Sequence, residues 1–79
     1  MTLDIEGLAE RELTGQIIER CARYGAVKSV EIRRAERGAT YRFALVRMST
    51  YKQAEKLFNE WGVVKNGDSV VIRLTQRLL

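Results

Sequence analysis

The chain has 79 residues, 46% hydrophobic and 30% charged, the balance of one folded domain with a modest core rather than a disordered segment. A formal charge of +4 permits an anionic partner without requiring one. Histidine is absent and cysteine occurs once, as Cys21, which excludes an internal disulfide, a multi-thiolate metal site and the commonest general base.

No apolar run approaches the ~20 residues of a membrane span, and the first residues lack the basic-then-apolar order of a secretory leader. With a single thiol, the expected compartment is the reducing cytoplasm. Residues 1–79 read as one unit, a core of about 2–75 with a short tail at 76–79, because there is no proline, low-complexity tract or repeat.

The first predicted element is a short strand over Thr2 to Ile5, where Leu3 and Ile5 alternate with Thr2 and Asp4. Leu13, Ile17, Ile18, Cys21 and Tyr24 then form a helical stripe. Glu10 and Glu12 near its start and Arg20 and Arg23 near its end suit the helix dipole, and Gly25 is the expected cap. Gly15 inside this helix costs ~1 kcal/mol against alanine and suggests the close approach of another element. Val27, Val30 and Ile32 mark a second strand. A charged loop follows from Arg34 to Ala39, and a third strand runs from about Thr40 to Met48. Ser49 or Thr50 is placed to cap a second helix, whose stripe is Ala54, Leu57, Phe58 and Trp61, ending at Gly62. Val63-Val64, the turn Asn66-Gly67-Asp68, and Val70, Ile72 and Leu74 read as a hairpin, Asn-Gly being a strong turn signal because both residues can take positive φ.

The order β-α-β-β-α-β predicts an α+β, ferredoxin-like sandwich: a four-stranded antiparallel sheet with two helices on one face. The other face is left open. Strict alternation puts Asp4, Glu6, Ser29, Glu31, Arg33, Tyr41, Phe43, Leu45, Arg47, Val71, Arg73 and Thr75 on it. On that face Arg33, Arg47 and Arg73 balance Asp4, Glu6 and Glu31. The basic surplus sits at the loop between the second and third strands, in Arg33, Arg34, Arg37 and Arg42 against Glu36. Alternation turns Arg42 inward, although its long stem reaches solvent near the start of the strand.

Several segments resemble one family, the RNA-recognition-motif domains. Leu3-Asp4-Ile5-Glu6-Gly7-Leu8 resembles the family's strand-one hexamer. Tyr24-Gly25-Ala26-Val27-Lys28-Ser29-Val30-Glu31-Ile32 resembles its helix-to-strand junction, and Phe43-Ala44-Leu45-Val46-Arg47-Met48 resembles most of its octamer. Ala54-Glu55-Lys56-Leu57 and Asn66-Gly67 match its second helix and last hairpin. The resemblance covers about Thr2 to Leu74 and implies RNA bases stacked on open-face aromatics. Phe43 keeps the aromatic at the octamer's third position. Leu45 stands at the fifth position, Asp4 at the hexamer's second, and Tyr41 where Lys or Arg is usual.

The expected function is a small single-stranded RNA-binding module of modest, salt-dependent affinity. Phe43 and Tyr41 would stack bases, Arg47 and Arg73 would flank the path, and Arg33, Arg34 and Arg37 would hold phosphates. The alternative is the same fold used for protein contact or self-association, motivated by Asp4, Leu45 and Val71. Leu78 and Leu79 are an alternative cover for that face. Cys21 is expected to be a buried structural thiol, and Trp61 to pack in the core. No cofactor, metal, membrane or small-molecule substrate is expected. With no catalytic constellation and no Gly-rich phosphate loop, neither is enzyme activity.

Overall fold

The computed structural model describes residues 1–33, 37 and 40–77. Arg34, part of Arg34–Ala39 and the tail leucines Leu78 and Leu79 lie outside the described residues. In chain order the elements are β1 (Thr2–Leu3), α1 (Glu10–Cys21), a 3-10 turn (Ala22–Tyr24), β2 (Val27–Arg33), β3 (Tyr41–Met48), α2 (Tyr51–Trp61), β4 (Gly62–Asn66) and β5 (Ser69–Gln76). The fold is α+β, with two helices and a five-stranded mixed sheet.

The helices form where the periodicity places them. Leu13, Ile17 and Cys21 of α1 are fully buried, whereas Ile18 is 41% exposed. Positions 17 and 18 point about 100° apart on a helix, and the sheet takes only the first. Gly25 ends the 3-10 turn at φ 145°. Thr50 caps α2, its hydroxyl accepting the Gln53 amide N–H at 3.1 Å. Gly15, by contrast, borders nothing: an added Cβ would meet no atom within 4 Å. The expected close approach at Gly15 is absent.

The sheet departs from the expected four antiparallel strands. Its order is β1-β5-β3-β2, with β4 also paired to β5. The first strand is a two-residue edge piece parallel to β5, with Thr2 opposite Thr75 and Leu3 opposite Gln76. The central neighbour of β3 is β5, antiparallel from Tyr41↔Thr75 to Arg47↔Ser69. The reason lies just after Leu3. The Asp4 carboxylate accepts the Gly7 amide at 2.8 Å, and Leu8 N–H bonds back to the Asp4 carbonyl at 3.2 Å. Such an aspartate turn competes with a ladder, so the strand expected over Thr2 to Ile5 stops at Leu3. β5 meets no such break. Its Val70, Ile72 and Leu74 are fully buried, and it extends to Gln76, a residue expected in the tail.

The hairpin turn is offset by one residue from expectation. Asn66 pairs with Ser69, so the loop is Gly67-Asp68. Gly67 alone takes a positive φ, 63°, at the first loop position where two-residue hairpins favour glycine. The Asp68 carbonyl accepts the Met48 amide at 2.8 Å, tying this turn to the end of β3.

Inward strand residues Ile32, Ala44, Val46, Met48, Val70, Ile72 and Leu74 join Leu13, Ile17, Cys21, Ala54 and Leu57 in one core cluster. Both helices therefore cover the same face, and the opposite face of the sheet is open. Among the described residues no helix is long and apolar enough to cross a membrane.

Candidate functional site

The open face is built by the ladder as three cross-strand rows. Arg33, Phe43 and Arg73 form one, and Glu31, Leu45, Val71 and Val64 the next. Ser29, Arg47 and Ser69 form the third. Tyr41 lies at the end of β3, opposite Thr75, whose other neighbour is Thr2. Neighbouring strands lie ~4.8 Å apart, so each row spans the width of a nucleobase or more.

Tyr41 and Phe43 meet edge to face, with ring centroids 5.4 Å apart and planes at 75°. The guanidinium carbon of Arg73 sits 4.6 Å from the Tyr41 ring centroid, within reach of a cation–π attraction. These three side chains and Val63 line a shallow hollow of about 290 Å³. Tyr41 and Phe43 are half-buried: their rings are held in place yet present area to solvent.

The arginines expected to act differ in availability. Among the described residues no carboxylate pairs with Arg73. Arg33 bonds Glu31 on its own strand at 3.3 Å, with both side chains more than half exposed. Such a pair is worth about 0–1 kcal/mol and readily yields to a phosphate. Arg47 bonds both carboxylate oxygens of Asp68, at 3.2 and 3.4 Å, and Asp68 is only 21% exposed. Arg47 is thus the more committed to a structural partner. Arg37 is exposed. Arg42 is half-buried, its Nε–H donating to the Arg33 carbonyl at 3.3 Å.

The acidic side of the face changes most. Asp4 and Glu6 follow β1 and stand in no row of the ladder. Besides the Gly7 amide, Asp4 accepts the Gln76 side-chain N–H at 3.0 Å. These hydrogen bonds, Gln76 first, hold its carboxyl below the ordinary range. Leu45 has Glu31 and Val71 as cross-strand partners, not Asp4. The face therefore carries Arg33, Arg47 and Arg73 against Glu31 and Asp68, a net positive surface.

Sequence reasoning missed two features. Val64 joins the apolar row, and Val63 joins the hollow because an irregularity between Gly62 and Val64 shifts the β4 register. Alternation has no signal for such an extra residue. Trp61 packs against the core cluster as expected while staying half-buried, and its indole N–H donates to the Tyr24 hydroxyl at 3.1 Å.

No family model matches the chain, and no curated protein or solved structure does.

Proposed function

We propose that the open sheet face is a platform for short single-stranded RNA. The observation that carries this reading is the Tyr41–Phe43–Arg73 cluster, flanked in register by Arg33. The two rings offer stacking surface, worth ~1–3 kcal/mol per base on an aromatic, and the guanidinium over Tyr41 supplies a cation beside it. Arg33 and Arg73 lie either side of Phe43, so a phosphodiester beside a base on Phe43 has a cation on both flanks. The resemblance to RNA-recognition-motif domains points the same way. The partner strand supplying the second half of the platform is β5 with Arg73, rather than β1 with Asp4.

The test is anisotropy titration of a labelled random pool of short single-stranded RNA. Phe43→Ala is expected to weaken binding about 5- to 150-fold, the equivalent of one stacked base. Arg73→Gln is expected to weaken binding and flatten its salt dependence. If both variants bind the pool as the parent does, the platform is not the binding surface. Binding at a level insensitive to salt would also count against it, because phosphate contacts release counterions.

One observation favours a second reading, protein contact or self-association. The row Leu45–Val71–Val64 is apolar apart from Glu31 at its end, and Val63 and Val64 are about half exposed on an edge strand. An edge of this kind offers unpaired backbone groups to another chain. A sedimentation mass that rises with concentration, reversed by Val64→Lys, supports this reading. A constant monomer mass removes self-association.

A further inference from the structure

Away from the open face, Arg20, Arg23, Tyr24 and Trp61 line a cavity of about 210 Å³. It continues into a second of about 320 Å³, where Gln16 and Glu19 join the two arginines. Arg20 and Arg23 are three residues apart, so their side chains project from the same side of the helix. Arg20 is steadied by donating Nη1–H to the Thr2 carbonyl at 3.2 Å, which uses one of five guanidinium donors. Among the described residues neither arginine pairs with a carboxylate. The Tyr24 hydroxyl already accepts the Trp61 indole proton, so its own proton is left for another acceptor. Two cations, a free hydroxyl donor and a half-buried indole suit a phosphate with a base beside it. Glu19 lies only in the outer cavity and sets the negative boundary of the trough.

The trough and the open-face hollow flank the same sheet edge. β1 and β4 lie end to end along the same side of β5. Trp61 lines the trough and Val63 lines the hollow with Tyr41, Phe43 and Arg73, and only Gly62 separates them in the chain. We infer that single-stranded RNA leaving the platform crosses this edge and places one or two phosphates on Arg20 and Arg23, with a base against Trp61. This inference rests on the platform reading above and extends it to longer strands.

Trp61 is the only tryptophan, so its emission reports on the trough directly. The test compares oligouridylates of about four and about twelve nucleotides, both within the range of site sizes of small single-strand binders. The longer oligomer is expected to bind more tightly and to quench Trp61, and the shorter to bind without quenching. Arg20→Gln with Arg23→Gln should cut affinity for the longer oligomer roughly tenfold. It should also lower the log–log salt slope by about 1.4, two phosphates' worth on a single strand, and leave the shorter oligomer unaffected. Arg23→Gln alone, at an exposed side chain, gives the same test if the double variant does not fold. Unchanged Trp61 emission on tight binding of the longer oligomer overturns the trough and leaves the platform standing. Equal weakening of both oligomers by the arginine variants overturns it too. Undiminished binding by Phe43→Ala sinks the platform instead, and with it the path across the edge.

Discussion

Gly15 and Gly25 occupy one helical segment and its cap, and a methyl group acts oppositely at the two. Gly15 is exposed, with open space around it, so Gly15→Ala is expected to stabilise the fold by about 0.5–1 kcal/mol through helix propensity. Gly25 sits at φ 145°, and an added Cβ would overlap the Gln53 side chain. Gly25→Ala is therefore expected to destabilise by more than about 1 kcal/mol. Urea midpoints moving in the same direction for both variants would contradict this. Cys21 gives a second residue-scale prediction. Burial pushes its thiol up to about 11 from an ordinary 9.0. The unfolded thiol ionises first, so the unfolded state binds fewer protons between about pH 9 and 11 and stability falls across that window. Cys21→Ser should lessen this fall, as read from urea unfolding at pH 7 and pH 10. A thiol reagent should label Cys21 only as fast as the protein opens. At this scale alternation alone located Tyr41, Phe43, Leu45, Arg47, Val71 and Arg73 on the open face, because side chains on a strand alternate without exception unless a bulge intervenes. Asp4 was misplaced because its side chain, by bonding the chain three residues on, removed it from the strand.

Among the elements, α2 illustrates a local signal that suffices by itself. Thr50 was one of two capping candidates, and its hydroxyl takes the Gln53 amide. Thr50→Ala is expected to cost about 1 kcal/mol, whereas Ser49→Ala should change the midpoint little. An equal loss for both would show that the cap is shared. The hairpin was visible in Asn66-Gly67-Asp68, but its register was not. The turn settles one residue later, where Gly67 alone needs positive φ and Asp68 reaches Arg47, Ser69 and Met48. Strand order was the least legible property. Propensity identifies Thr2-Leu3 and Ser69–Gln76 as strands, yet nothing local says which of them lies beside β3. The outcome follows from length and burial: eight residues with three fully buried aliphatic side chains take the centre, and two residues take the edge.

Taken whole, the molecule divides its surface by function of the sheet. One face is closed by α1 and α2 over the core. The other holds the rings and arginines proposed to receive RNA, with β5 completing a surface that β3 begins. Net charge of +4 aids encounter with a polyanion, but the spent cations matter more than the total: Arg47 is held by Asp68, while Arg73 lies over Tyr41. The decisive measurement is a titration of the isotopically labelled protein with a short single-stranded RNA, followed by amide and side-chain NMR shifts. Shifts concentrated at Tyr41 to Leu45, Val71 to Thr75 and Arg33, growing with RNA and reversed by salt, are expected. A spectrum unmoved by RNA, or one in which only Val63, Val64 and Val71 broaden as protein concentration rises, would contradict the RNA platform.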